Sequence, residues 1–406
     1  MEMDIRDALH VKIHSPFWDQ AYRQALLDPL QPEWMTERYL RELHAQLHCL
    51  PVNLELVVQG LEQVNRDKNL CLFVKTLLHI LELHKPFREC FPEFTMPAAP
   101  ADGENALAYH ILGIFPLLAH VPVVKRELEQ RGIDQTVISR YFTELDNGIC
   151  ECTEAAGHPF YSQYYFSAHW GFVFYQSLTI ERLRFEMAKQ TQFPIRIFRS
   201  KVGGTAILMD GVTIHASGHI LGAYGCTDPE GSYEADYREE AEYYEGYPTD
   251  GETGLVQPER IRLSKKEWFP VYAPGDGIMK VHIPFQGSLN EEICSRSYEK
   301  ARQLFANCFS EYKSAGFTTN TWLLAPELEP ILKPDSGIRA FRKPYHKFPM
   351  AGKGIDIFEY VFKLEVQDPA QVAIAALPEN TSLQRSVKQL CAQGVVFHNF
   401  GGYIPW

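Results

Sequence analysis

The sequence has no long run of basic residues, and its overall charge is negative. It contains 39 Lys and Arg against 51 Asp and Glu, which gives a formal net charge of −12 at pH 7. Proteins that bind nucleic acid without sequence preference need a basic face for their phosphate contacts. The composition therefore argues against a general nucleic-acid binder.

Long apolar runs are also missing. The most apolar stretch, residues 111–124, is too short to cross a bilayer and contains Pro116, His120 and Pro122. The first residues do not follow the basic and then apolar order of a secretory signal peptide. From these two features we predict a cytoplasmic protein that does not enter a membrane.

The cysteines and histidines do not form a familiar metal motif. There are nine cysteines, and the close pair Cys150 and Cys152 lacks the two-residue gap of a zinc knuckle or redox pair. This pattern favours reduced thiols over a disulfide framework. His215 and His219 suggest a metal site, but no regularly spaced further ligand accompanies them. We therefore predict no metal site, and we find no nucleophile elbow or Walker loop.

The first half of the sequence has a helical pattern. Apolar residues recur at steps of three and four from residue 15 to about residue 189. Residues 70–83 are apolar on nearly every side, as expected of a central helix in a bundle. The last helix of this half is predicted over residues 167–190. We interpret residues 1–190 as an all-α domain of six or more helices.

The pattern changes at Phe193, after which alternating segments are separated by helical ones. Residues 206–215 and 268–285 predict hairpins, because turn residues interrupt each alternating run. Further strands are predicted over residues 355–366 and 395–400. Residues 191–406 therefore predict a mixed α/β domain, and the fold class of the chain is α+β.

An acidic segment rich in tyrosine lies within this second half, at residues 227–259. Its aromatic content is too high for plain disorder. We interpret it as a long surface segment that acts as a lid or contacts a protein partner through residues 228–259.

Residues 278–290 hold the candidate binding site. Lys280 and His282 alternate with apolar residues in a strand pattern, and a helix begins near Asn290 after a turn at Gly287. A strand that leads through a turn into a helix leaves backbone N–H groups pointing at solvent. The segment therefore predicts an anion-binding site where the strand meets the helix.

Several short segments carry a family resemblance. They are residues 243–246, 263–268, 275–276, 281–284 and 322–324, with the predicted helix at 336–341. Together they resemble the C-terminal, GNAT-like domain of a group of bacterial acyltransferase-domain proteins, in which a helical N-terminal domain comes first. The resemblance covers nearly the whole chain.

The resemblance implies a sheet in which acyl-CoA lies against a splayed pair of strands. The CoA pyrophosphate would then bind at the N-terminus of the following helix, on Gln286, Gly287, Ser288, Leu289 and Asn290. A V-shaped gap between the strand ending near residue 285 and the strand at 318–324 would admit the pantetheine arm. The usual glycine-rich signature of the wider superfamily is not present, since one glycine directly follows Gln286.

Candidate catalytic and clamping residues lie near this site. His282 is the candidate general base, and Tyr298 is the candidate proton donor to the departing thiolate. The densest basic cluster of the sequence contains Arg339, Arg342 and Lys343 and continues to Lys347. Two interpretations of the cluster stay open: a clamp for the phosphates of CoA or another anion, and a solvated helix end.

Two functions from different classes follow from these patterns. The first is an N-acyltransferase that uses acyl-CoA as co-substrate and acts on a small-molecule or peptide amine. The alternative is a GNAT-like binding or regulatory module without catalysis, which the missing glycine signature favours. A third hypothesis, a metal-dependent enzyme built on His215 and His219, has less support in the sequence.

Overall fold

The chain forms two compact units. The computed structural model describes residues 5–100, 103, 105–171, 177–188, 193–284 and 287–406. The units are Met1–Thr179 and Ile180–Trp406. This division lies closer to the N-terminus than residue 190, and the domain bounds 1–190 and 191–406 stay a prediction. None of the described helices has both the length and the apolar character needed to cross a membrane.

The first unit is helical and is built around one fully buried helix. Its elements are α1 (Ile5–Ala8), β1 (Ile13–His14), α2 (Trp18–Leu27), α3 (Glu37–Leu47), α4 (Leu54–Arg66), α5 (Lys68–Leu81), α6 (Phe87–Cys90), β2 (Glu93–Phe94), α7 (Ala106–Ile111), α8 (Ile114–Gln130), α9 (Gln135–Ala156) and α10 (Gln163–Trp170). Every residue of α5 from 70 to 78 is buried, and the Asp67 side chain caps its first turn. The predicted central helix is therefore confirmed.

The helix predicted over residues 167–190 is wrong. Helix α10 ends at Trp170, and two strands follow, β3 (Ser177–Ile180) and β4 (Leu183–Ala188). The turn between these strands places Glu181 in the left-handed region with φ of 54°, where no glycine, proline or asparagine marks it. Because no turn residue marks this position, the spacing of the apolar residues predicts one helix where the chain forms two strands.

The second unit contains two six-stranded sheets. Its remaining elements are β5 (Ile195–Ser200), β6 (Thr205–Met209), β7 (Val212–Ile214), β8 (Tyr233–Ala235), β9 (Arg238–Glu239), β10 (Tyr243–Pro248), β11 (Ile261–Ser264), β12 (Trp268–Tyr272), β13 (Ile278–His282), α11 (Glu291–Cys308), β14 (Gly316–Thr321), α12 (Gly337–Arg342), β15 (His346–Pro349), α13 (Asp356–Phe362), α14 (Ser382–Ala392) and β16 (Phe400–Pro405). The helical first part and this sheet-rich second part confirm the α+β class.

The sheets differ in strand direction. In the antiparallel sheet the order is β11-β10-β6-β5-β12, with β9 also paired to β10. In the mixed sheet the order is β15-β16-β14-β13-β4-β3, and β13 and β14 are its parallel neighbours. Helix α11 joins these two strands, as a parallel connection requires. A two-stranded pair, β7 with β8, lies outside both sheets.

Both predicted hairpins are wrong, although both turns exist. Strand β12 pairs with β5 in the antiparallel sheet, whereas β13 pairs with β4 and β14 in the mixed sheet. Strand β6 pairs with β5 and β10, while β7 pairs with β8. Gly275 and Gly211 adopt positive φ at the two turns, as expected. The turn residues specify a change of direction, but the burial of each strand's apolar face selects its partner.

Three other predicted segments need correction. Residues 355–366 contain α13 instead of a strand, because Ile357, Phe358, Val361 and Phe362 are buried at helical spacing. The last strand is β16, which begins where the predicted strand over 395–400 ends. The acidic segment at 227–259 is not a plain surface excursion. It contains β8, β9 and β10, and β10 is an inner strand of the antiparallel sheet.

Candidate active site

Backbone pairing between strands β13 and β14 ends before either strand does. Their parallel register has two pairs, between residues 279–280 of β13 and 317–318 of β14. Each strand stays paired with its other neighbour to its end. Beyond the two pairs, the Thr319 hydroxyl donates a hydrogen bond to the Val281 carbonyl at 3.0 Å. Backbone pairing therefore ends early between these strands, and the V-shaped gap for pantetheine stays a prediction.

Arg182, in the turn between β3 and β4, holds the segment that follows β13. Its Nε donates to the Ser288 carbonyl at 3.1 Å, and its Nη2 donates to the Gly287 carbonyl at 3.0 Å. Gly287 has φ of 96°, a conformation that favours glycine. Two carbonyls of the predicted cradle therefore face a fixed cation. The cradle residue Gln286 lies outside the described residues.

Asn290 caps α11, as the sequence predicts. Its side-chain oxygen accepts a hydrogen bond from the Ile293 backbone N–H at 2.8 Å. The other N–H groups of the first turn and the helix dipole give this end a partial positive charge. Glu291 and Glu292 lie in the same turn and offset part of that charge.

A cleft of about 600 Å³ opens where α11 and α12 begin. Gly337, the first residue of α12, packs on the cradle so closely that an added Cβ would lie 1.8 Å from the Leu289 carbonyl oxygen. The structure therefore brings α12 and the predicted cradle together. The predicted site residues that line this cleft are Leu289, Asn290, Arg339, Arg342 and Lys343.

The arginines of the basic cluster are engaged by the protein. Arg342 is 3% exposed, and its Nη1 donates to the carbonyls of Leu323 and Ala325 at 2.8 and 2.7 Å. Arg339 donates to the carbonyls of Glu329 and Leu332, both at 3.1 Å. Both guanidinium groups therefore support the walls of the cleft, and their contact with a phosphate stays a prediction.

The lysines of the cluster lie nearer to solvent. The ammonium group of Lys343 is 2.9 Å from the Glu291 carboxylate, and both side chains are exposed. Lys347 donates to the Glu252 carbonyl at 2.8 Å, and burial lowers its pKa. Lys343 is therefore the predicted cluster residue that is most readily released to an incoming anion, because an exposed ion pair is weak.

Tyr298 does not line the cleft. It is 4% exposed, and its hydroxyl is 2.6 Å from that of Tyr345, which does line the cleft. Burial raises the pKa of Tyr298 well above its ordinary value, and the neighbouring Tyr345 adds to this shift. A proton from Tyr298 would have to pass through the Tyr345 hydroxyl.

His282 lies on the other face of the mixed sheet. Its Nε2 is 2.6 Å from Glu186 Oε2, and the Lys280 ammonium group is 3.7 Å from Glu186 Oε1. Side chains alternate along a strand, so these side chains lie on one face of the sheet and Phe185 lies on the other. On that other face the Phe185 ring packs on Tyr298 of α11. When Nε2–H donates to the carboxylate, Nδ1 has a free lone pair and can accept a proton.

Glu186 is held in its ionised form. The hydrogen bond from His282 lowers the pKa of this carboxyl group and outweighs the opposing effect of burial, while Lys280 lowers the pKa further. An ionised carboxylate that accepts from Nε2–H fixes the tautomer of the imidazole. The geometry of the pair is that of a general base with an orienting partner.

The sequence interpretation omits Glu186, Arg182 and Tyr345. Glu186 and Arg182 lie in the stretch where a helix is predicted, so the alternation that places Glu186 beside His282 is concealed. Tyr345 lies within the basic cluster, but nothing in its sequence context distinguishes it from a core residue.

A family model for the GNAT-like C-terminal domain matches residues 178–404. The chain belongs to this family. The match covers both sheets and the cleft, and it confirms the family resemblance of the sequence segments. The search of curated proteins finds no match.

Solved structures share the fold of this GNAT-like protein over nearly its whole length. One is an acyltransferase in complex with decanoyl-CoA and teicoplanin, with a TM-score of 0.63 and 17% identity over 99% of this chain and 98% of that one. Another is an acyltransferase mutant in complex with octanoyl-CoA, with a TM-score of 0.62 and 18% identity over 99% of both chains. At such low identity the likeness establishes the fold.

Proposed function

We propose that this GNAT-like protein is an acyl-CoA-dependent acyltransferase that transfers the acyl group to an amine. The observation that supports the proposal is the early end of backbone pairing between β13 and β14, the two strands that precede and follow the capped helix α11. We infer that the strands splay beyond these pairs, so that a chain entering between them pairs with their free edges while its phosphates lie at the helix end. Acyl-CoA combines these two chemical features in one molecule.

The cleft supports this use of the helix end. It joins the start of α11 to that of α12, and the predicted residues Leu289 and Asn290 line it. The cradle lacks the second glycine of the common signature. Its shape is fixed by the positive φ of Gly287 and by the hydrogen bonds from Arg182 to the carbonyls of residues 287 and 288. Backbone N–H groups would bind the pyrophosphate, and Lys343 would move from Glu291 to a phosphate.

The His282–Glu186 pair supplies the base for the chemical step. The amine nitrogen attacks the thioester carbonyl, the C–N bond forms, and the C–S bond breaks as CoA leaves. His282 Nδ1 takes the proton from the amine, and the thiolate receives a proton from solvent. A general base of this kind contributes about 10²–10⁴-fold to the rate, and positioning contributes much of the remainder.

The acceptor is proposed to be an amine of a small molecule or a peptide. The related acyltransferase in complex with decanoyl-CoA and teicoplanin holds two ligands at once, so the fold can bring a long acyl-CoA and a second molecule together. In the present chain the acceptor would approach the sheet face that carries His282.

Calorimetric titration with decanoyl-CoA, acetyl-CoA and free CoA tests the proposal. We expect binding of all three ligands, because the nucleotide and pantetheine parts are shared, and tighter binding of the acyl forms. Product formation with a panel of amines is then measured by release of free thiol. Absence of binding at millimolar ligand would overturn the proposal.

Binding without turnover would favour the alternative, a regulatory module. In that case, alanine substitution of the exposed acidic residues in segment 228–259 would abolish a cellular phenotype that survives His282→Gln. The proposed enzyme predicts the opposite order of effects.

A further inference from the structure

A buried cluster of histidine, cysteine and glutamate lies apart from the cleft in the second unit. His219 and Cys226 come from the segment between β7 and β8, and His398 immediately precedes β16. Glu327 lies in the short 3₁₀ helix Pro326–Ile331. His219 and His398 are each 8% exposed and Cys226 is 4% exposed, so the cluster is closed to solvent.

Three of these side chains converge on one point. His219, Cys226 and His398 can each offer a ligand atom such that all three atoms lie within 4.8 Å of one another. The distance from Cys226 Sγ to His398 Nε2 is 3.7 Å. Tetrahedral zinc with ordinary Zn–S and Zn–N bonds requires a sulfur–nitrogen separation of about 3.6 Å. The observed distance fits two ligands on one ion, and it equally fits a hydrogen bond between the thiol and the imidazole.

The cluster contains buried polar atoms that the protein does not satisfy. His219 Nε2 is 3.7 Å from Glu327 Oε1, beyond hydrogen-bond length, and it has no hydrogen-bond partner among the described residues. Glu327 Oε2 is also without one in the same part of the chain. Leaving a buried polar atom unpaired is costly, so these atoms point to a missing ligand.

The second nitrogen of each imidazole is already held. Glu327 Oε1 is 2.8 Å from His398 Nδ1, and the Ser217 hydroxyl is 3.0 Å from His219 Nδ1. A carboxylate on the far nitrogen of a metal-ligating histidine fixes the tautomer that leaves the near nitrogen free to coordinate. His215 Nδ1 in turn holds the Ser217 hydroxyl at 2.8 Å.

The same residues resemble a cysteine–histidine–carboxylate catalytic triad, but burial argues against that role. A nucleophilic thiol must reach its substrate, and Cys226 is enclosed. A triad would also give no role to His219. The centroid of its ring is 3.9 Å from that of His398. Metal coordination uses all three side chains.

We propose that His219, Cys226 and His398 bind one zinc-like divalent cation, with Glu327 as the orienting partner of His398. Thiolate and imidazole ligands together select zinc among the common divalent ions. On binding, the metal–sulfur bond forms as the Cys226 thiol releases its proton to solvent. In the structure His398 Nε2–H donates a hydrogen bond to the Tyr224 carbonyl at 3.0 Å. This proton must also pass to solvent, and this hydrogen bond must break, when Nε2 coordinates the ion.

The ion would connect segments that are distant in sequence. Cys226 and His398 are 172 residues apart, and the backbone N–H of Tyr224, in the segment between β7 and β8, donates a hydrogen bond to the Gly352 carbonyl. An ion held by His219, Cys226 and His398 would therefore add to the stability of the fold.

Cobalt titration of the chelator-treated full-length protein tests the site. Cobalt(II) reports a thiolate ligand through an intense charge-transfer band and reports tetrahedral geometry through its visible absorption. We expect one equivalent to bind with both signals, zinc to displace it, and zinc to raise the melting temperature. A wild-type protein that binds no cobalt, or binds it without the thiolate band, would overturn the proposal.

The variant Cys226→Ser should lose the thiolate band and bind cobalt at least tenfold more weakly. Cys391→Ser is the matched control, because Cys391 is a half-buried cysteine outside the cluster, and it should bind as the wild type does. A band that persists in Cys226→Ser, or that is lost equally in both variants, contradicts the assignment.

A measurement on the wild type covers the case in which Cys226→Ser does not fold. X-ray absorption of the zinc-loaded protein should show one sulfur at about 2.3 Å and nitrogen or oxygen neighbours at about 2.0–2.1 Å. A shell of oxygen and nitrogen alone would exclude Cys226 and overturn the site.

Discussion

The two faces of the mixed sheet beside β13 and β14 are built on different principles. On one face, His282 and Glu186 form a charged pair whose side chains carry the proposed chemistry. On the other face, the cleft depends on backbone: the capped end of α11, the positive φ of Gly287 and the close packing of Gly337 on Leu289. The cations around the cleft mostly bind protein acceptors.

The two faces should therefore be sensitive to different kinds of substitution. On the His282 face, replacing a side chain removes a proton acceptor while the strands remain. On the cleft face, replacing an exposed cation costs little, whereas changing the backbone shape or removing a buried support alters the anion site.

His282→Gln should have the largest effect on activity. We expect kcat to fall by about 10²–10⁴-fold, because the amide keeps a hydrogen bond to Glu186 but cannot accept the proton. The KM for acyl-CoA should change little, since the cofactor cleft lies on the other face. Steady-state kinetics with varied acyl-CoA measures both quantities.

Lys280→Gln is the control for that experiment. Lys280 lies on the same face and near the same carboxylate, at 3.7 Å, but it does not hold the proposed base. It should retain most of the activity. Equal losses in the two variants would mean that the charge of the face, rather than the base, matters.

Arg342→Met should destabilise the second unit. The change leaves the buried carbonyls of Leu323 and Ala325 without their donor, at a cost of about 1–3 kcal/mol for each carbonyl. Lys343→Met removes a neighbouring exposed ion pair and should cost about 0–1 kcal/mol. Urea unfolding of both variants measures the free energy of unfolding.

Among variants that fold, Lys343→Met should weaken acyl-CoA binding more than Arg342→Met does. Lys343→Met removes the cation that we propose moves to a phosphate, and its loss of affinity should grow smaller as salt concentration rises. If Arg342→Met leaves stability unchanged, then the guanidinium group does not support the cleft wall.

Gly337→Ala should disturb the cleft through the backbone. The added Cβ would meet the Leu289 carbonyl oxygen at 1.8 Å, so α12 or the cradle must shift, at a cost of about 1–3 kcal/mol. We expect weaker CoA binding together with this loss of stability. Gly251→Ala adds the same atom to open space in the same cleft and should change neither.

Calorimetry and thermal unfolding of the two glycine variants decide this point. Normal CoA affinity in a folded Gly337→Ala protein would show that the contact between α12 and the cradle does not shape the anion site. The anion site of the cleft would then depend on side chains and not on the shape of the backbone.

The smallest effect concerns pH. The pKa of Glu186 is lowered from its ordinary value of 4.5, so its ionised form stabilises the fold above that pH. This contribution is lost as the pH falls through the lowered pKa. Glu186→Gln should therefore be less stable than wild type at neutral pH, by up to about 1 kcal/mol for a partly exposed pair.

Chemical denaturation at a series of pH values measures this difference. It should shrink as the pH is lowered below 4.5 and disappear once Glu186 is protonated in the folded protein. A difference that stays constant over that range would mean that the carboxylate charge does not matter.

The site was partly accessible from sequence because some of its signals are local. The cap at Asn290, the strand around His282 and the turn at Gly287 each depend on a few adjacent residues. The partner of His282 was not accessible, since Glu186 lies 96 residues away on a strand whose turn carries no glycine. The sequence pairs His219 with His215 and not with His398, its partner in the proposed metal site, because His398 lies far along the chain.

The order of helical and sheet-rich parts, the buried helix α5 and the capped helix α11 can all be predicted from the sequence alone. Periodicity and capping act within one or two turns, so the residues that specify them are neighbours. Only the tertiary structure decided which strands pair, where β13 leaves β14, and which acids and histidines meet. Those choices follow from burying apolar faces that are separated by long stretches of chain, and no local pattern records their outcome.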